Sequence, residues 1–333
     1  MRILITGSSG FIGFHMAKLL LDKKNIVLGI DSMNSYYDLK LKKNRYNILK
    51  KYKRFSFSKT NLENRIRIQK IFNKFNPNIV IHLAAQAGVR YSLEKPHVYL
   101  NTNIIGTFNV IEASHMNKVE HLIMASSSSV YGANTKMPFT EIDKTETQLS
   151  IYAATKKATE SMAHSYSNIY KIPITMLRFF SAYGPWGRPD MALFKFTKGI
   201  LNNKSIDVYN NGRMYRDFTY IDDVVKAISL LIKKKPDIKH YGRYKNDTLS
   251  KVAPYRVLNV GNTQTVYLLD FIKEIEFQLN KKAIKNFLPL QIGDVTKAIS
   301  NSNLLKNLTG YTPKTDYKKG VKKFIDWYKS YYK

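Results

Sequence analysis

The chain opens on an apolar strand, Arg2–Thr6, runs at once into Gly7-Ser8-Ser9-Gly10-Phe11-Ile12-Gly13, and continues as a helical pattern over Phe11–Leu21. Few folds tolerate this opening. A strand that feeds a helix through a glycine turn has its next strand parallel to it, because the helix consumes the return path. Glycines allow the tight turn and let backbone approach a pyrophosphate, while the helix N-terminus offers unpaired N–H groups and the positive end of its dipole. The spacing is G-x-x-G-x-x-G rather than the more familiar G-x-G-x-x-G. Asp31 closes the second apolar run, where a carboxylate would hold an adenosine ribose and repel a 2′-phosphate. Gly7, Gly10, Phe11, Ile12, Gly13 and Asp31 are therefore expected to bind NAD in preference to NADP. The alternative is three turn glycines and an Asp that only caps a helix.

The alternation continues. Strands are expected near Arg2–Thr6, Asn25–Asp31, Phe55–Thr60, Asn78–Ala84, His121–Ser127 and Ile174–Phe180, with helices at Phe11–Leu21, Asn64–Phe75, His97–Asn117 and Tyr152–Tyr170. Runs such as NIVIHLA and HLIMASS are apolar on both faces, as strands of a covered parallel sheet are. The fold class is α/β: a Rossmann-type doubly wound parallel sheet with a smaller C-terminal α/β lobe. The repeat breaks at Gly184-Pro185-Trp186-Gly187-Arg188-Pro189. Helices follow near Ala192–Asn202 and Asp222–Lys234. Lys235–Pro254 reads as an exposed polar loop, Tyr255–Gly261 as one more sheet strand, and Leu268–Asn280 and Lys318–Tyr332 as late helices. The expected division is 1–180, with about 217–235 and 255–262, as the cofactor domain, and 181–216 with 263–333 as the second lobe.

Tyr152 stands four residues before Lys156, so both share one face of a helix. An ammonium beside a phenol favours the phenolate and lowers its pKa from about 10. Upstream lies the hydroxyl run Ser126-Ser127-Ser128-Ser129. A serine near a Tyr/Lys pair makes a proton-transfer device suited to oxidising an alcohol. A lone Y-x-x-x-K is common on amphipathic helices, and its weight comes from the glycine turn and serine run standing in order with it.

The formal charge of +30 invites a nucleic-acid reading, but Lys supplies 42 of the 54 basic residues, scattered along the chain, with no zinc-finger spacing or RNP aromatics. No dedicated nucleic-acid site is expected. The chain has no cysteine, which excludes disulfides and thiolate metal sites. His15, His82 and the other histidines lack metal-ligand spacing, and no metal is expected. No apolar run approaches the ~20 residues that span a bilayer. A first strand at Arg2 leaves no room for a cleavable leader, so the expected location is cytoplasmic.

GSSGFIG, HLAAQAGVRYSLEKP, SSSSVYG, YAATK, LRFFSAYGPWGRPDMA, RDFTYIDD and a late Gly-Asp pair occur in that order. Together they resemble the extended short-chain dehydrogenase/reductase family of nucleotide-sugar enzymes, and most closely its UDP-glucuronate 4-epimerases. The likeness spans nearly the whole chain. It implies that Gly7, Gly10, Gly13 and Asp31 hold NAD, that Ala84 and Ala85 pass the cofactor, and that Asn103 supports the catalytic helix. Asn61 stands where relatives more often carry Asp near the adenine. Ser127, Tyr152 and Lys156 match the family's catalytic set. Arg216 resembles the arginine on the UDP diphosphate, and Asp294 a uridine-ribose contact. Ser128 and Ser129 stand where related dehydratases and decarboxylases carry acids, which favours epimerisation. The hydroxyls of Ser128, Ser129 and Ser181, with Arg188, would hold a uronate carboxylate, and Arg188 serves the diphosphate in the alternative. The implied reaction is C4 epimerisation of UDP-glucuronate to UDP-galacturonate through a 4-keto sugar, for a surface polysaccharide. UDP-glucose or a UDP-N-acetylhexosamine is the alternative substrate, and a non-catalytic or RNA-binding member of the fold the remote one. Relatives pair as homodimers through helices matching those near His97–Asn117 and Tyr152–Tyr170.

Overall fold

The structure, a computed structural model, describes residues 1–332. Six strands form where expected: β1 (Arg2–Thr6), β2 (Ile26–Asp31), β3 (Phe55–Lys59), β4 (Ile79–His82), β5 (His121–Ser127) and β6 (Ile174–Phe179). Tyr255–Val260 adds the seventh strand of the same sheet. The order from one edge is Tyr255–Val260, β6, β5, β4, β1, β2, β3, and every pairing is parallel. β1 therefore has β2 on one side and β4 on the other, and the winding reverses there. Such a switch point opens a crevice at the carboxyl ends of the strands.

Helices α1 (Phe11–Asp22), α2 (Leu39–Lys50) and α3 (Arg65–Phe75) cover the first half of the sheet. The period of two in β1 divides the core: Ile3 and Ile5 join the apolar layer of Phe14 and Ala17, while Leu4 joins that of Ile68, Phe72 and Val110. The first layer runs on into the C-terminal segments, where Phe218 and Phe271 stack with centroids 4.0 Å apart. After Ser181 the strands are short. Ser181–Tyr183 pairs with Phe218–Tyr220, and Tyr215–Arg216 lies between Val266–Tyr267 and Lys297–Ala298.

Three features depart from the sequence reading. Helix α2 was not expected: its sequence LKLKKNRYNILK is rich in lysine, and its buried face is Leu41, Arg45 and Leu49 with the stem of Lys42. Asp38 starts it by accepting the Lys40 N–H. The expected helix His97–Asn117 is a short turn at Pro96–Tyr99, a seven-residue π-helical stretch at Leu100–Gly106, and an α-helix at Thr107–Met116. The segment Lys235–Pro254 is not wholly exposed, since Leu249 and Ala253 are buried and Thr248 Oγ1 accepts from Val257 N–H of the seventh strand. Trp186 packs edge-on and tilted among Phe14, Trp327 and Tyr331, so it is a packing residue of the turn, and the aromatic end Trp327–Tyr332 is its partner. Among the described residues, no helix is long and apolar enough to cross a membrane.

Candidate active site

A cleft of about 1190 Å³ opens at the carboxyl ends of the strands, lined from Gly7 and Asp31 through Ser127 and Tyr152 to Arg216 and Asp294. At its floor the glycine turn is closed tightly. Gly7 has φ +73°, which a side chain would strain, and its N–H donates to Ile30 O. A Cβ on Gly13 would lie 2.0 Å from Gly7 O, so only glycine permits this approach of helix to turn. Gly10 caps α1 without any side-chain bond, which leaves the first N–H groups of the helix for a ligand. The buried hydroxyls of Ser8 and Ser9 also lack partners. This cradle fits a dinucleotide pyrophosphate.

Asp31 ends β2 facing the cleft, and its two oxygens accept Ser9 N–H at 3.0 Å and Met33 N–H at 2.8 Å. Each oxygen keeps a lone pair for a ribose hydroxyl. Phe11, Ile12, Asn61, Ala84 and Ala85 line the same end. Asn103 does not line the cleft. It lies inside the π-helical stretch, where the added residue per turn points it inward. Its Oδ1 accepts Gln86 N–H at 2.8 Å, and its Nδ2 donates to Gln86 O and to Thr155 Oγ1 at 3.0 Å. Thr155 in turn donates to Tyr152 O. Asn103 thus ties the cofactor loop to the helix Ile151–Tyr170, with its side chain outside the cleft.

Tyr152 and Lys156 both face the cleft from that helix, which Ser150 caps. Ser127 reaches the same cleft from the end of β5, and its Oγ accepts Ser129 N–H. The Lys156 ammonium is buried and donates to Ala125 O at 2.8 Å. Burial pulls it down to about 8, against the pull of the Glu160 carboxylate. Tyr152 departs from the sequence expectation. In the protein alone it lies above its ordinary value, because enclosure outweighs the hydrogen bond from Ser127 and the field of Arg188, both of which lower it. The expected fall is not seen, because burial of the phenol is the larger effect.

Ser128, Ser129 and Ser181 line the neighbouring wall with Arg188. Arg188 is not a bare surface cation: its Nε donates to Asp190 Oδ1 at 3.0 Å and its Nη2 to Asp190 Oδ2. Tyr36 donates a further bond to Asp190 at 3.2 Å. Arg216 and Asp294, expected to meet different parts of a nucleotide, meet each other at 2.8 Å. Asp190 and Tyr36 were missed, although Asp190 stands two residues from Arg188 in the same turn. Arg45 was also missed. It is wholly buried and donates to Ser9 O at 2.9 Å, Tyr37 Oη at 2.7 Å and Trp186 O at 2.5 Å, which fastens the glycine turn to the Arg188 turn. No periodicity signals a buried arginine in a lysine-rich helix.

A doubly wound sheet, a glycine cradle at its switch point and a Tyr/Lys/Ser set in the same cleft define a dinucleotide-dependent enzyme that works on a secondary alcohol. The chain belongs to the NAD dependent epimerase/dehydratase family, whose profile matches residues 3–261. It is 51% identical to Protein CapI of Staphylococcus aureus, with all of both chains covered. It is 47% identical to a probable UDP-glucuronate 4-epimerase of Rhizobium meliloti (strain 1021), over 100% of this chain and 98% of the relative. The crystal structure of UDP-glucuronic acid 4-epimerase from Bacillus cereus, in complex with UDP-glucuronic acid and NAD, superposes with a TM-score of 0.89 at 31% identity, covering both chains fully.

Proposed function

We infer that this chain is an NAD-dependent enzyme that converts UDP-glucuronate to UDP-galacturonate by inverting C4. The observation that carries the reading is one cleft holding the glycine cradle, Tyr152, Lys156 and Ser127, with no carboxylate at Ser128 or Ser129 to drive elimination. NAD, held by Gly7, Gly10, Phe11, Ile12, Gly13 and Asp31 and passed by Asn61, Ala84 and Ala85, supplies a reversible acceptor for the C4 hydride. Tyr152 as phenolate takes the C4 hydroxyl proton, and Ser127, in the same cleft, relays or positions that proton. Lys156 supports the phenolate and holds the nicotinamide ribose. The sugar then turns while its UDP stays bound, and Tyr152 returns the proton as C4 is reduced on its other face.

Arg216 and Asp294 are the proposed nucleotide contacts, their mutual ion pair opening to admit the diphosphate and the uridine ribose. Ser128, Ser129 and Ser181, with the donors of Arg188 that Asp190 leaves free, hold the uronate carboxylate. A 4-keto uronate is a β-keto acid, so fixing its carboxylate limits loss of CO2. The cofactor lobe is 1–180 with about 217–235 and 255–262, and the nucleotide-sugar lobe is 181–216 with 263–333. The chain works in the cytoplasm as a homodimer, and its product feeds a surface polysaccharide. Exposed Leu100, Ile105, Ile169 and Tyr170 on the two helical segments support that pairing. A substrate panel tests the assignment. UDP-glucuronate is expected to turn over fastest, and faster turnover of UDP-glucose or a UDP-N-acetylhexosamine would overturn it. Arg188→Ala and Ser129→Ala are expected to erode the preference for the uronate.

A further inference from the structure

Behind the serine run lies a buried ionic cluster that the proton relay does not use. Glu160 sits one turn beyond Lys156 on the same helix and is buried. Its Oε1 accepts Arg178 Nε at 2.9 Å and Ser126 Oγ at 2.6 Å, and its Oε2 accepts Arg178 Nη2 at 2.9 Å. Arg178 comes from β6 and lies over the Tyr131 ring, 4.8 Å from its centroid. Ser126 is on β5, between Ala125, whose carbonyl holds the Lys156 ammonium, and Ser127. One carboxylate therefore touches the strand that presents the catalytic serine and stands beside the catalytic lysine.

We propose that Glu160 is a positioning residue for the reaction: tied to Ser126 and Arg178, it holds the β5 end in register and keeps the Lys156 ammonium charged where it faces the cleft. This deepens the epimerase reading and rests on it. A buried arginine and glutamate contribute little to stability in sum, since desolvation offsets their attraction. Placement beside Lys156 gives the pair a further role. Burial works to strip the proton from Lys156, and Glu160 is the carboxylate that opposes this. The other groups around Lys156 and Glu160 do not replace it. His82 from β4, in the field of Lys156, is held neutral by burial; Arg178 from β6 is a cation bound to Glu160; Tyr255 from the seventh strand is pushed well above its usual range; and the Glu141 carboxyl is raised to about 7. Lys157, 3.8 Å from Glu160, adds another positive charge.

The test is kcat against pH for the holoenzyme with UDP-glucuronate. Loss of the Lys156 proton ends activity on the alkaline side. Removing the Glu160 charge lowers the pH at which that proton leaves, so the alkaline limb of Glu160→Gln moves down by at least about half a pH unit. Glu160→Gln leaves Arg178 unpaired and can fail to fold. The double variant Glu160→Gln/Arg178→Gln removes both buried charges and keeps an acceptor for Ser126. Its limb is expected to move down too, by less, because the repulsion from Arg178 is gone with the attraction from Glu160. A role in packing alone lowers kcat evenly and leaves the limbs in place. Limbs unmoved in the double variant, or in both, would overturn the proposal. If the wild type itself does not turn over UDP-glucuronate, the epimerase reading fails instead, and the same profile is run on the sugar that it does accept.

Discussion

Gly13 offers the sharpest test of the cofactor cradle. In Gly13→Ala the new Cβ meets Gly7 O at 2.0 Å, Gly7 C at 2.7 Å and Ser8 Cα at 3.1 Å, all backbone atoms. A carbon–oxygen contact relaxes only near about 3.3 Å, so helix and turn must part by more than about 1 Å. Hydrogen bonds from the turn to a pyrophosphate do not survive a shift of that size. Overpacking of this kind costs about 1–3 kcal/mol, which is roughly a 5- to 150-fold loss of affinity if it falls on the bound state. Helix propensity favours alanine over glycine by about 1 kcal/mol, so the loss cannot be charged to the helix itself. Gly10→Ala is the control: its Cβ meets Gly7 O at 3.0 Å, a misfit of a few tenths of an ångström. The assay is NAD released per protomer on heating the purified enzyme, with NAD titration and a thermal melt alongside. Gly13→Ala is expected to lose NAD and Gly10→Ala to keep most of it. Wild-type NAD content in Gly13→Ala, or a worse defect in Gly10→Ala, would refute the reasoning.

Tyr152→Phe removes the proton acceptor and is expected to lower kcat by about 10²–10⁴ with a small change in KM, as steady-state kinetics would show. Because enclosure raises Tyr152 and the Ser127 bond lowers it, Ser127→Ala should move the acid limb of kcat to higher pH; an unmoved limb would remove Ser127 from the relay. Glu141 is buried and raised to about 7, so the stability from its protonated form is full below its unfolded value and is lost as pH rises through 7. Glu141→Gln keeps an acceptor for Asn259 N–H and should raise the melting temperature at pH 8, by up to roughly 3 kcal/mol of stability, with little gain at pH 4. Asp31→Ala should weaken NAD and raise the NADP-to-NAD affinity ratio by about tenfold or more, measured by titration of both cofactors.

The sheet was legible because its strands are apolar on both faces and separated by helical periods, and because the glycine turn states its own direction. The seventh strand, far along the chain, was legible for the same reason in YRVLNVG. Helix α2 was not, because its inward face centres on Arg45, whose burial depends on carbonyls of Ser9 and Trp186 that only the fold brings together. The π-helical stretch left no mark either: Asn103 turns inward to satisfy Gln86 and Thr155, partners on other segments. At the site, local spacing carried Tyr152 and Lys156, while Ser127 was singled out of the serine run only by the family resemblance. The pairing of Asp294 with Arg216, 78 residues away, was beyond spacing rules, whereas Asp190 lies two residues from Arg188 and was within their reach. The ionisation of Tyr152 followed from enclosure, which no sequence distance measures.

The central claim is that C4 is oxidised and then reduced with the same hydride. UDP-glucuronate labelled with deuterium at C4, incubated with the holoenzyme in ordinary water without added NAD, tests this directly. NMR of the product should show UDP-galacturonate with the deuterium still at C4 and no pentose from loss of CO2. Deuterium replaced by solvent hydrogen would contradict the account.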